Sequence, residues 1–224
     1  MADAPVPSKP FEEGIEKLIS LLRRTEMPAN VFNIYKQNDP ELDARGAAAR
    51  RRENLRRYLK VLKTPKYAFV GIAPGYRGAR FTGVPFSDEH RLCYPGSCYD
   101  RTSTRESAYK EASGSVVMEV LGARTDVVCW NLVPWHPHQP DNLLSNTDPD
   151  AETIKLGLTA MDWFFERLYP EVQRVCVGKL VQKHMQDHYG QEYTYIRHPA
   201  RGGANEFREQ AGKLLGIEPE QSEE

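Results

Sequence analysis

The chain has 224 residues, enough for one sizeable core. Its 30 lysines and arginines are offset by 31 acidic residues, giving a net charge of -1. That balance argues against wrapping a long duplex by charge alone, but it leaves room for a small footprint on nucleic acid. No apolar run approaches the length of a membrane span, and the opening MADAPVPSKP has no apolar signal core. Residues 1–10 are therefore expected to be a tail, 11–216 a single domain and 217–224 an acidic tail. The expectation is a cytoplasmic monomer that does not engage a membrane.

Helical patterns over 11–25 and 43–62 come first. In the second, RRENLRRYLKVL places Leu55, Tyr58 and Leu59 on one stripe with arginines opposite. This reads as an ordinary amphipathic helix with a solvated basic face, in preference to one that touches phosphates. A first strand at 67–72 runs into GIAPGYRGARFTGVPF (71–86), which holds four glycines and two prolines. A helix at 105–122 leads to a strand at 126–131, which ends in NLVPWHPH. The helix at 150–168 can be capped by Asp148 or Asp150, with Pro149 fitting an early turn. A strand at 172–177 passes through Val177-Gly178-Lys179 into a helix at 178–189, an entry read as structural. The last strand, 193–197, runs into RHPARGGAN and a helix at 203–215.

None of the four strands alternates cleanly, as expected for strands covered on both faces. Strands alternating with helices imply a parallel sheet between helical layers. The expected fold is a three-layer αβα sandwich with a central four-stranded, mainly parallel sheet. Ligands collect at the carboxyl ends of such strands. The loops GIAPGYRG, NLVPWHPH and RHPARGGAN should converge there. Of the four cysteines, Cys93, Cys98, Cys129 and Cys176, only the first two are close, and no second pair completes a metal site. Reduced thiols, no metal and no cofactor are expected. His136 and His138 are read as part of a groove-lining loop with Trp135 packed beneath.

Taken together, the three loops resemble the uracil-DNA glycosylase superfamily across residues 65 to 210. GIAPG matches the first motif, TGVPF the segment that carries a base-stacking aromatic, Asn131 the base-reading asparagine and His198 the histidine of the second major motif. The spacing from GIAPG to TGVPF is especially similar to the single-strand-selective monofunctional branch. The iron–sulfur cysteine pattern of other branches is missing.

The resemblance implies a monofunctional DNA glycosylase. It would hydrolyse the N-glycosidic bond of uracil, or of other deaminated bases, in single- or double-stranded DNA and leave an abasic site. In that picture the backbone at Gly71, Ile72 and Ala73 cradles a flipped base, with Phe86 stacked on its face. Asn131 offers the donor and acceptor that uracil N3–H and O4 require. Tyr76 is the nearest bulk for excluding thymine, because position 75 is glycine where the main uracil-specific branch has tyrosine. His198 donates to uracil O2 as negative charge develops there. Arg201, Gly202 and Gly203 contact DNA. Ala73 and Ile72 depart from the polar residues that other branches use for water and base. The carboxylates after the stacking phenylalanine, Asp88 and Glu89, are the candidates to supply that function. The same departures support an alternative, a damaged-base or nucleic-acid binding module with little or no activity.

Overall fold

A computed structural model describes residues 9–217. In chain order its elements are α1 (Lys9–Arg24), β1 (Val31–Phe32), α2 (Ala47–Val61), β2 (Tyr67–Gly71), α3 (Ala79–Thr82), α4 (Glu89–Leu92), α5 (Ala112–Leu121), β3 (Val127–Asn131), β4 (His136–Pro137), α6 (Ala151–Arg167), β5 (Gln173–Val177), α7 (Lys179–Tyr189), β6 (Thr194–Ile196) and α8 (Ala204–Leu215). Strands β3, β2, β5 and β6 form one four-stranded parallel sheet in that order. β1 and β4 form a small antiparallel pair.

The period of two along each strand sorts the core into two layers. Tyr67, Phe69, Val127, Cys129, Val175, Val177 and Ile196 cluster with Val117 of α5 and Phe207, Ala211 and Leu215 of α8. Ala68, Val70, Val128, Trp130 and Cys176 cluster instead with residues of α1, α2, α6 and α7. Trp130 stacks on Phe164 of α6 at 4.1 Å between centroids. The fold is thus a mixed α/β sandwich with a parallel sheet between helices. Among the described residues no helix is long and apolar enough to cross a membrane.

The chain leaves β2 toward β3, on one side of it, through a crossover that carries α5. It leaves β5 toward β6, on the other side, through α7. These two crossovers pack on opposite faces of the sheet. A crevice must therefore open between the carboxyl ends of β2 and β5, the switch point where α/β folds hold ligands.

Three local expectations are corrected. Residues 9 and 10, assigned to the tail, begin α1, where Pro10 has no N–H to lose in the first turn. At the other end Ile217 closes α8 by donating its N–H to the Gly212 carbonyl at 2.9 Å. The expected tails at 1–8 and 218–224 lie outside the described residues. The helix expected at 105–122 starts only at Ala112. In the preceding stretch the backbone is engaged elsewhere: Tyr109 N–H donates to Glu89 Oε2 (3.4 Å), the Tyr109 carbonyl accepts from His90 N–H (3.0 Å) and Glu111 N–H donates to Asp88 Oδ2 (3.0 Å).

The basic face of α2 is not simply solvated. Arg50 donates to the Arg101 carbonyl and Arg52 to that of Tyr35. Arg56 pairs with Glu16, and Arg57 with Glu53 and Asp100. Arg51 is fully buried and bonds Asp43, which also holds the buried Arg80. These arginines are committed to the protein itself.

Candidate active site

The crevice at the carboxyl ends is a cleft of ≈ 640 Å³. In-register pairing of β2 with β3 sets Gly71 beside Asn131, and the ladder runs on through Leu132 N–H to Gly71 O (2.8 Å) and Val133 N–H to Ile72 O (2.9 Å). By strand parity Gly71 and Asn131 share the face of Phe69 and Cys129. Phe86 folds onto that face. A Cβ on Gly71 would stand 2.5 Å from Phe86 Cζ and 3.0 Å from Asn131 Oδ1. Only glycine lets ring and amide meet there. The Asn131 amide is buried at the cleft wall and has no hydrogen-bond partner among the described residues.

His198 lies two residues past Ile196, so it keeps the same face, with its ring 6.4 Å from that of Phe86. The Ala200 N–H donates to His198 Nδ1 at 3.1 Å. In the neutral imidazole the proton must then sit on Nε2. Burial lowers the His198 pKa, and Arg197 and Arg201 lower it further. The ring is therefore a neutral donor on the cleft wall. The turn beneath it is tight: a Cβ on Gly203 would lie 2.2 Å from the His198 carbonyl oxygen. Gly203 caps α8 and shapes this turn, and neither it nor Gly202 lines the cleft. Arg201 does line it, exposed and at a φ of 53°.

Ile72 and Ala73 line the cleft without a polar side chain. Tyr76 does not line it. Its N–H donates to Asn146 Oδ1 at 2.9 Å, and its ring faces the Arg77 guanidinium at 5.2 Å.

Asp88 and Glu89 are both fully buried away from the cleft. The reason is the backbone of Phe86, whose φ of 53° reverses the chain, with Ser87 tied back to Thr82 and Val84 at 2.7 Å. Asp88 caps α4 by accepting from Arg91 N–H (2.8 Å). Its other oxygen accepts from Glu111 N–H (3.0 Å) and Ser115 Oγ (3.2 Å). Glu89 is enclosed by the 102–103 backbone and the Ser103 hydroxyl.

The cleft does hold a carboxyl group that sequence reasoning missed. Glu111, at the cap of α5, lies across the glycine loop. Cβ atoms on Gly75 and Gly78 would stand 1.9 Å and 2.2 Å from its two oxygens. Burial, followed by the nearby Asp88, raises its pKa from the ordinary 4.5 to about 7. The one signal in the sequence was the glycine at 75 and 78, room into which a side chain from elsewhere can fit.

The entry at Val177–Lys179, read as structural, also lines the cleft, and Lys179 is exposed there. His136 and His138 are buried instead of groove-lining, although Pro137 between them reaches the cleft. His136 bonds the Pro74 and Leu143 carbonyls at 2.8 and 3.1 Å, tying the second loop to the first. Trp135 is fully buried and donates to the Leu22 carbonyl at 3.0 Å. Among the described residues no group of three or more His, Cys, Asp or Glu is placed to hold a metal.

This fold, with a cleft lined by those three loops at its strand ends, defines a class of protein. The family model of the Uracil DNA glycosylase superfamily matches residues 59–215, more than half of the chain, and the chain belongs to that superfamily. Among solved structures, wild-type SMUG2 of Pedobacter heparinus is similar in fold, with a TM-score of 0.62 and 13% identity over 91% of this chain and 95% of that one. No curated protein matches the sequence significantly.

Proposed function

We propose that the protein is a monofunctional uracil-DNA glycosylase that releases uracil and leaves an abasic site. The observation that carries this reading is the meeting of Phe86, the unpartnered Asn131 amide and a neutral His198 Nε2–H at one cleft. The aromatic face stacks on a flipped base. The amide pairs with uracil N3–H and O4, while cytosine offers the wrong pattern. The Nε2–H meets uracil O2, where the electron pair of the breaking bond gathers. Lys179 stands in water, without the apolar surround that activates an amine nucleophile, so hydrolysis is preferred to Schiff-base chemistry. Arg201 and Lys179 are exposed cations of the cleft lining, suited to DNA phosphates.

The test is to incubate single- and double-stranded uracil oligonucleotides with the protein in EDTA and then treat with alkali. Breaks at uracil that appear only after alkali are expected. Asn131→Asp should slow single-turnover processing by on the order of a hundredfold even on saturating DNA, since a charge replaces the donor facing O4. Gly71→Ala should bring a similar loss by displacing Phe86 or Asn131, the usual result of about 1 Å of misplacement. Arg201→Ala should instead weaken binding and reduce the salt slope of log K by about one; an unchanged slope in a salt titration would remove Arg201 from the phosphate contacts.

A second reading, a damaged-base binding module, is favoured by one observation: the 71–75 loop brings no polar side chain to the cleft. Tight binding to uracil DNA with no alkali-labile product would support it.

A further inference from the structure

Two carboxylates line the cleft, and they differ. Asp148 is exposed, whereas Glu111 is half-buried against the glycine loop. No N–H or O–H group of the described residues donates to the Glu111 carboxylate, although its backbone is clamped at both ends. Its N–H donates to Asp88 Oδ2 at 3.0 Å, and its carbonyl accepts from Ser115 N–H at 2.8 Å. A carboxylate withdrawn from water without a donor is unfavourable. Such a group in a cleft is explained when the ligand brings the donor. Ala73, in the same lining, brings no polar side chain for a water molecule.

We propose that Glu111 is the catalytic carboxylate of this cleft, accepting a proton from the water that attacks C1′ of the flipped nucleotide. The inference rests on the glycosylase reading above. The water oxygen forms its bond to C1′ as the C1′–N1 bond breaks, and that electron pair leaves on the uracil ring. One water proton passes to Glu111 and from there to solvent. Uracil is reprotonated from solvent, and the sugar is left as an abasic hemiacetal. The same negative charge also favours the cationic sugar of an oxocarbenium-like state. Asp88, hydrogen-bonded to the Glu111 backbone, acts as a positioning and tuning residue.

The pH dependence has a definite sign. Glu111 accepts a proton only as carboxylate, and its pKa lies at about 7, raised by burial and then by Asp88. Arg77 and Lys110 on the flanking segments are exposed, as are Asp148 and Arg201 in the same cleft, so solvent screens them. Activity should therefore fall as pH drops below that value, about tenfold per unit. Stability runs the other way. A carboxyl group with a raised folded pKa favours folding most below its ordinary 4.5, and that contribution is lost as pH rises through about 7.

The experiment compares parent, Glu111→Gln and Glu111→Asp in single-turnover uracil release from about pH 5 to 9, with thermal unfolding at both ends of the range. Glu111→Gln should lose on the order of a hundredfold in rate and the low-pH limb with it. It should also unfold at a higher temperature than the parent at high pH, an advantage that shrinks at low pH, whereas a merely structural carboxylate would leave its amide variant less stable. Glu111→Asp should keep the limb at an intermediate rate. An active parent whose Glu111→Gln variant keeps its limb and a rate within about twofold overturns this inference and leaves the glycosylase reading intact. A parent inactive on every uracil substrate overturns that reading and this inference together. If Glu111→Gln does not fold, parental rates for Glu111→Asp at every pH contradict the role.

Discussion

His198→Ala is expected to slow single-turnover uracil release by on the order of 10²–10³-fold while changing oligonucleotide affinity by only about threefold. The split follows from when the charge appears. In the bound nucleotide uracil O2 is a neutral carbonyl oxygen, and a hydrogen bond to it adds little beyond what water gave. As the bond to C1′ breaks, the oxygen becomes anionic, and a donor already aimed at it needs no reorganisation. The structure provides for such a donor in two ways. The Ala200 N–H occupies Nδ1 at 3.1 Å and so fixes the proton on Nε2. Burial, with Arg197 and Arg201, keeps the ring from taking a second proton. His198→Gln, which retains an N–H donor, should recover part of the rate. Single-turnover kinetics set beside fluorescence anisotropy on the same oligonucleotide separate the two effects. Equal losses in rate and affinity would assign His198 to binding.

Asp43→Ala is expected to destabilise the fold by about 3–5 kcal/mol, the cost of leaving buried charges unpaired. Asp43 bonds Arg51 at 3.0 Å and also holds Arg80, and all three side chains are fully buried. Arg80 has no alternative to turn to. Its Nε and one terminal nitrogen already lack partners, and its guanidinium is stacked on Phe32 and Phe81 at 4.5 and 4.3 Å. Removing the carboxylate leaves two cations repelling each other out of reach of water. For a chain of this length the midpoint of thermal unfolding should fall by on the order of 10 °C. The damage reaches the cleft, because Arg80 sits in α3 directly after the glycine loop. Burial alone would raise the Asp43 pKa, but the two arginines outweigh it and the net shift is downward. The stabilisation is therefore present above the ordinary value of 3.8 and is lost as pH falls through the lower folded value. A calorimetric shift of less than about 2 °C at neutral pH would show that the cluster is not what holds this segment.

The parts of the molecule that were legible in the sequence are those written in local pattern. The strands at 67–71, 127–131, 173–177 and 194–196 fall within the expected runs, because apolar stretches bounded by glycine, proline and asparagine leave few other options. Strand parity then carries Asn131 and His198 to one face, which is why motif order was informative. Long-range packing was not legible. Asp88 and Glu89 follow Phe86 directly, yet the left-handed turn at Phe86 sends them inward. Glu111 lies 25 residues beyond Phe86, in a stretch that reads as helix interior. It reaches the glycine loop only because Asp88 holds its backbone at the cap of α5. The arginines of α2 resemble a solvated or DNA-facing stripe until their partners, distant in sequence, are known. Tyr76 is next to the pocket glycine but does not line the cleft; its N–H is engaged by Asn146 and its ring by the Arg77 guanidinium.

Phe86, Asn131 and His198 are proposed to form a pocket for excision of uracil. Chromatography of the free base tests it most directly. Oligonucleotides carrying uracil, cytosine or thymine at one position are incubated with the protein in EDTA, and released bases are measured before any alkali is added. Free uracil alone is expected, released in step with alkali-labile sites on a strand that is still unbroken. Release of cytosine or thymine at the rate of uracil would contradict the role of the Asn131 edge, and no release of any base would contradict the glycosylase itself.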